Sequence, residues 1–197
     1  LKLEKRMAHG TSFLFSYSVS KMISDTRNAA AAFSGDQTVS VQNWYNLKAE
    51  RSVSETDVPQ SLVFSYVVEL PIGPNRALFS GVKGIPAKLL QGWTLGGVAS
   101  RRSGFPLAVS APDTGAGTGT RPNSTGRSAN FTGSRPLGQK LQKWFDTTAF
   151  TLPPPFAFGN VSTILPNVRG PGLGNLDIAL IKDTRFTESK RLEFRVE

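Results

Sequence analysis

The stretch TSFLFSYSV at Thr11–Val19 alternates between apolar and polar residues. Every second residue from 13 to 19 is aromatic or apolar, and the residues between them are serines apart from Leu14. Because successive side chains of a β-strand point to opposite faces of its sheet, this period of two predicts a strand with one apolar and one polar face.

The same alternation recurs along the chain and predicts six strands, which indicates an all-β fold. The strands are expected near residues 1–7, 11–21, 60–70, 92–102, 175–183 and 190–197. Helical periodicity is nearly absent. Only Ile85–Leu90 is expected to form a short helical turn, and the alanine run at 29–32 carries no capping residues.

The predicted connections fall into two length classes. Residues 8–10, 71–91 and 184–190 form the shorter ones, whereas residues 22–57 and 111–175 form two long loops. If the strands run up and down, both long loops lie at one end of the strands. This sorting is typical of outer-membrane barrels, which have short periplasmic turns and long extracellular loops.

The second long loop contains two unusual segments. Residues 111–138 are rich in Gly, Thr, Ser and Pro, so this segment is expected to be disordered or ordered by its neighbours. Aromatic residues then cluster around three consecutive prolines, and we expect them to pack within the loop rather than bind a ligand. They are Trp144, Phe145, Phe150, Phe156 and Phe158.

The composition excludes several chemistries. The 197 residues include 23 Lys and Arg, 14 Asp and Glu, one His and no Cys, so the net charge is +9. Without Cys there is no disulfide, thiol nucleophile or iron–sulfur cluster. His9, expected in the tight turn of the first hairpin, offers no second His for a metal pair.

No catalytic constellation is recognisable. Glu50, Glu55 and Asp57 share one loop with Arg51, and a solvated or ion-paired loop explains them better than a catalytic pair. The GAGTGT segment at 115–120 lacks the flanking strand and helix of a phosphate-binding loop. Basic residues and aromatics alternate onto opposite faces, which argues against a nucleic-acid surface. We therefore expect no enzyme, no cofactor, no metal site and no nucleic-acid partner.

Several stretches, taken together and in order, resemble the barrel of TonB-dependent outer-membrane receptors. The resemblance is greatest to the Oar-like subgroup, which carries a carboxypeptidase-regulatory-like domain ahead of the plug. The matching stretches are KLEKR at 2–6, FSYSVSK at 15–21, NLKAER at 46–51, FSY at 64–66, GWTLGG at 92–97, SGFPL at 103–107, WFDTTAF at 144–150 and RGPG at 169–172. One departure is PQS at 59–61, where the family usually has a basic start to the strand.

The resemblance implies a place in the cell outer membrane of a Gram-negative-type bacterium. It implies that residues 1–197 are about six strands from the late part of an antiparallel up-and-down transmembrane barrel of 22 strands, without the plug and N-terminal domains. The apolar faces would contact lipid and lipopolysaccharide, the Ser, Arg and Glu side chains would line the lumen, and Trp93 would join the periplasmic aromatic girdle.

The function implied by the resemblance is energised uptake. The partners would be the TonB–ExbB–ExbD system, acting through the missing N-terminal region, and an unknown substrate such as an oligosaccharide, a peptide or a metal chelate. Four residues are candidate substrate contacts: Tyr45, Arg101, Arg102 and Trp144. The alternative is a secreted β-sandwich acting as a carbohydrate-binding or adhesion module, because periodicity alone hardly separates a sandwich from a barrel wall.

Overall fold

The computed structural model describes residues 1–25, 41–117, 119–185 and 190–197. Three stretches discussed above lie wholly or partly outside the described residues: the alanine run at 29–32, part of the 115–120 segment and most of the 184–190 connection. The described residues form two compact units. The sheet unit comprises Leu1–Val19, Gln60–Arg102 and Leu173–Glu197, and the loop unit comprises Ser20–Pro59 and Ser103–Gly172.

The elements are mostly strands, which confirms the all-β class. In chain order the strands are β1 (Lys2–Ala8), β2 (Thr11–Val19), β3 (Ile23–Ser24), β4 (Ser52–Val53), β5 (Gln60–Glu69), β6 (Trp93–Arg102), β7 (Asn123–Ser124), β8 (Phe150–Thr151), β9 (Leu173–Arg185) and β10 (Arg191–Val196). The helices are α1 (Ile85–Leu90) and α2 (Leu137–Gln142), with 3-10 turns at Leu47–Glu50 and Thr147–Ala149. The helical turn expected at Ile85–Leu90 is α1, whereas α2 gave no clear helical pattern in the sequence.

The sheet unit is one antiparallel meander in the order β1-β2-β5-β6-β9-β10. The strand ends that lead into the two long connections lie together, because Val19 pairs with Gln60 and Arg102 pairs with Leu173. The three shorter connections all leave the opposite end of the strands. The sheet therefore has the sorting of connections that the sequence predicted.

One face of the sheet, here called the aromatic face, is apolar. The cross-strand register places Phe15 beside Phe64, Phe64 beside Ala99, and Ala99 beside Leu176. The ring of Phe64 stacks on that of Tyr66 with their centroids 5.6 Å apart. No described element covers the middle of this face, and its outer side chains, such as Leu176 and Phe194, are exposed.

The opposite face, here called the polar face, is less uniform than expected. It carries the serines of β2, Lys2 and Glu4 of β1 and the charged residues of β10, as the alternation predicted. However, Leu14, Val67 and Val98 also lie on it and are partly exposed. The polar face is therefore a mixed surface and not a continuous polar wall.

A two-residue turn joins β1 to β2. Ala8 pairs with Thr11, and the two residues between them have positive φ, 53° for His9 and 73° for Gly10. Two positive φ values are typical of the type I′ turn that matches the twist of a hairpin. A Cβ added at Gly10 would come within 3.1 Å of the Cβ of Glu69. His9 thus has the turn position that the sequence predicted.

The loop unit contains most of the buried apolar side chains. Val161, Leu165 and Val168 form its core, and Phe145 and Phe150 pack against it. The rings of these two phenylalanines meet edge to face, with their centroids 6.1 Å apart. Within the described part of the segment at 111–138, Asn123 and Ser124 pair with Thr151 and Phe150, so neighbouring residues order the chain at this point.

The aromatic cluster of the second long loop only partly packs inward. Phe145 and Phe150 do so, but Phe156 is 81 % exposed. Phe156 has a φ of 60°, and its ring lies over Gly115 instead of entering the core. The expectation of internal packing was therefore wrong for Phe156, because the turn after the three prolines directs its side chain outward, and for Phe158, which is also exposed. In the described ranges, no helix has the length and apolar character needed to cross a membrane.

Candidate functional site

A buried ion pair joins the two long connections within the loop unit. Glu50 ends a 3-10 turn in the first connection, and Arg121 belongs to the second. The guanidinium of Arg121 contacts both carboxylate oxygens of Glu50, at 3.0 Å for Nη2–Oε1 and 3.2 Å for Nη1–Oε2. Both residues are almost fully buried. A bidentate geometry of this kind is the one that best offsets the cost of removing two charges from water.

Further polar groups complete the shell around this pair. The hydroxyl of Thr163 donates to Oε2 of Glu50 at 2.8 Å and accepts from Nη1 of Arg121. The side-chain carbonyl of Gln42 accepts from the backbone N–H of Arg121 at 2.9 Å, and its amide donates to the carbonyl of Gly159 at 2.8 Å. A buried network with this many satisfied groups fixes one conformation of the chain. The first connection is therefore held to the second by side chains, not only by backbone pairing.

A second ion pair lies between Asp57 and Arg169. Nη2 of Arg169 is 2.6 Å from Oδ2 of Asp57, and Nη1 donates to the backbone carbonyls of Asp57 and Gly104. Oδ1 of Asp57 accepts from the backbone N–H of Met22 at 2.6 Å. Burial would raise the pKa of Asp57, but the Met22 N–H and the Arg169 guanidinium outweigh that effect and hold it below the usual 3.8. Asp57 is therefore an ionised, fully partnered carboxylate.

These pairs decide between the two alternatives expected for the loop that contains Arg51. Glu50 and Asp57 are ion-paired, as one alternative predicted, and the solvated alternative is wrong because both are buried. Their partners are Arg121 and Arg169. The partners lie 71 and 112 residues away along the chain. The carboxylates are thus structural groups that order the long connections.

The predicted substrate contacts lie in different units. In the loop unit, the side chain of Tyr45 is fully exposed, whereas the indole N–H of Trp144 donates to the carbonyl of Arg169 at 2.6 Å. Arg101 and Arg102 end β6 in the sheet unit, where they are exposed and alternate onto opposite faces. Neither unit contains all four residues, and their role as contacts stays a prediction.

A groove of about 820 Å³ runs along the polar face of the sheet unit. Its middle is lined by the apolar side chains of Leu14, Val67 and Val98, and its sides by charged residues of β1 and β10. On β1, Nζ of Lys2 is 2.9 Å from Oε2 of Glu4. An extended segment or solute with both apolar and charged groups would fit such a surface. The groove was missed from sequence because it forms only when all six strands of the sheet are in register.

Among the residues that the structure describes, no three His, Asp or Glu side chains come close enough together to hold an ion. The chain contains no Cys that could add a ligand.

Comparison with known proteins gives one match. A family model described as an outer membrane beta barrel domain matches residues 1–197, the whole chain. No curated protein and no solved structure matches it. A meander with an open apolar face and its long connections at one end is what a segment of such a barrel requires.

Proposed function

The chain belongs to the outer membrane beta-barrel domain family, and from this premise we propose that it forms part of the wall of a TonB-coupled uptake receptor. The family places the chain in the cell outer membrane. It also removes the secreted β-sandwich as the fold of this sheet. Six strands are too few to close a barrel, so the two edge strands would pair with further strands of the same receptor.

The aromatic face supplies the lipid contact. In a membrane barrel, apolar side chains point outward to lipid and the alternate side chains point into the lumen. The open face around Phe15 and Phe64 has this character, whereas the groove with Lys2 and Glu4 would face the lumen. Lipid and the acyl chains of lipopolysaccharide are then the partners of the aromatic face.

The folded loop unit is the observation that carries the proposal of a receptor. The Glu50–Arg121 and Asp57–Arg169 pairs fix connections that a passive barrel could leave mobile. Binding residues work best when a rigid scaffold holds them in place. The exposed Tyr45 and the partly exposed Trp144 would therefore present a preformed surface to substrate, and Arg101 and Arg102 would act where the substrate enters the barrel.

The proposed mechanism is binding followed by energised uptake, without bond chemistry. The loop unit would capture an oligosaccharide, a peptide or a metal chelate outside the cell. Energy would come from the TonB–ExbB–ExbD system, acting on a region of the receptor outside these 197 residues. The chain itself would supply the wall, the lumen surface and the outer binding surface.

The direct test is capture of the purified full-length receptor by the periplasmic domain of TonB from the same bacterium. We expect binding that is lost when the receptor's N-terminal region is removed. The matched control is a receptor with Arg121→Met, which alters the loop unit and should leave TonB binding unchanged. Absence of binding by the intact receptor would contradict TonB coupling, but it would not contradict the assignment of the chain to the wall of a barrel.

A further inference from the structure

The connection between β5 and β6 carries a helix on the aromatic face of the sheet. Trp93 and Lys182 are cross-strand partners on that face. The indole N–H of Trp93 donates to the carbonyl of Leu89 at 3.0 Å, and Nζ of Lys182 donates to the carbonyls of Lys88 and Gln91. The C-terminal end of α1 is thus fixed to the side of the sheet that the proposed barrel turns toward lipid.

Lys182 is suited to hold this helix. A cation interacts favourably with the free carbonyls at the end of a helix. The ammonium group of Lys182 also lies 5.7 Å from the centre of the Trp93 ring. Lys182 is almost fully buried by these contacts, which explains how a lysine can lie on the aromatic face away from water.

The helix leaves its own apolar side open. Ala87 is its buried residue, while Ile85 is 77 % exposed and Leu89 is 65 % exposed. Residues four apart lie on the same side of a helix, so these two side chains form one apolar surface. The described residues include nothing that covers it.

The same connection presents a second apolar group. Phe79 is 60 % exposed and has a φ of 63°, a conformation that is unfavourable for a bulky side chain. The turn is fixed by hydrogen bonds in both directions: the N–H of Leu78 donates to Pro71, and its carbonyl accepts from Gly73, each at 2.9 Å. A turn held in this way keeps Phe79 directed outward.

The charge of the connection identifies the partner. Residues 71–92 contain three basic residues, Arg76, Lys83 and Lys88, and no Asp or Glu. All three are exposed, and Arg76 is 3.5 Å from Glu69, outside the connection. Exposed apolar side chains next to basic ones are typical of segments that lie in the interface of an anionic membrane.

We propose that residues 71–92 form an interfacial anchor that binds anionic phospholipid headgroups at the membrane surface on the side of the short connections. Ile85, Leu89 and Phe79 enter the boundary between headgroups and acyl chains, and Lys83 and Lys88 contact phosphates. The anchor requires the outer-membrane location but not TonB coupling, so it can fail while TonB capture succeeds.

The test is site-directed fluorescence of the full-length protein in nanodiscs of phosphatidylcholine and phosphatidylglycerol. The 197 residues contain no Cys, so Ile85→Cys introduces a unique labelling site in this region. The matched control is Leu141→Cys on α2, an equally exposed apolar position in the loop unit. We expect lipids brominated near the headgroup to quench the label at 85 several-fold more strongly than the label at 141.

Equal quenching at the two positions would overturn the proposal. So would a label at 85 that is shielded from aqueous iodide but not quenched by brominated lipid, because a protein segment would then cover the helix.

Replacing Lys83 and Lys88 by Gln tests the contribution of charge to lipid binding. The preference for brominated phosphatidylglycerol over phosphatidylcholine should fall by up to about fivefold for each lost cation. Lys140→Gln on α2 should leave this preference unchanged, and an unchanged preference in the Lys83 and Lys88 variants would overturn the anionic specificity.

Discussion

At the scale of single residues, the buried ion pairs determine the order of the loop unit. Glu50 and Arg121 are both nearly inaccessible and make two contacts with each other. Removing one partner of a buried pair leaves an uncompensated charge, which is more damaging than removing both. The loop unit should therefore respond very differently to single and double substitutions at these positions.

The first prediction concerns Arg121→Met in the full-length protein. We expect a loss of about 3–5 kcal/mol in the stability of the loop unit, because the Glu50 carboxylate would remain buried and unpaired. Hydrogen exchange of the loop-unit amides measures this loss. The double variant Glu50→Leu, Arg121→Met should lose less than Arg121→Met alone, and the exposed Arg51→Gln is the control. A double variant that is less stable than the single one would contradict the role of the pair.

The second prediction concerns pH. The pKa of Asp57 is lower in the folded loop unit than the unfolded value of about 3.9. The contribution of ionised Asp57 to the stability of the loop unit is therefore fully present above the unfolded pKa. It is lost as pH falls through the folded pKa. Protection of the Met22 amide, which donates to Asp57, should decrease below about pH 4 in the original protein. In Asp57→Asn this decrease should be absent; the same acid dependence in both proteins would assign it to another group.

At the scale of elements, alternation in the sequence gave the strands, but not the loop unit. The period of two follows from the geometry of any strand, so β2, β5, β9 and β10 could be recognised without knowing their neighbours. The contacts of Glu50 and Asp57 join residues far apart along the chain, and no local pattern specifies such partners. The helix α2 was missed because its six residues include a glycine and are too few for a helical period to emerge.

The third prediction uses two neighbouring glycines of β6. A Cβ at Gly97 would come within 2.7 Å of the Asp177 carbonyl and 2.8 Å of the Tyr66 hydroxyl, whereas at Gly96 the nearest atom is 3.7 Å away. Gly97→Ala should destabilise the sheet by about 1–3 kcal/mol through overcrowding, and Gly96→Ala should have little effect. Urea denaturation of the full-length barrel in detergent measures both. Equal effects would contradict the register of β6 between β5 and β9.

At the scale of the whole molecule, composition and fold agree. A barrel wall needs an apolar residue only at every second strand position, which accounts for a hydrophobic content of 39 %. The net charge of +9 divides into +6 for the sheet unit, half of which comes from the 71–92 connection, and +3 for the loop unit. The family and the location could be inferred from sequence. The substrate could not, because residues from several loops would have to be placed around it at once.

The fourth prediction concerns the 197-residue chain on its own. Its aromatic face and the outer edges of β1 and β10 would be exposed to water, and such edges are templates for association. We expect the chain to aggregate in detergent-free buffer. A sharp, monodisperse monomer peak in size-exclusion chromatography would contradict a sheet that requires lipid and further strands.

The most direct measurement of the central claim is spin-label accessibility along β2 in the full-length protein in a lipid bilayer. Single labels at Phe13, Phe15 and Tyr17 should be accessible to oxygen, which is concentrated in lipid. Labels at Ser12, Ser16 and Ser18 should be more accessible to a water-soluble nickel chelate. We predict that accessibility alternates with a period of two, with the odd-numbered positions facing lipid and the even-numbered positions facing water. A reversed phase, or no alternation, would show that the aromatic face does not contact lipid.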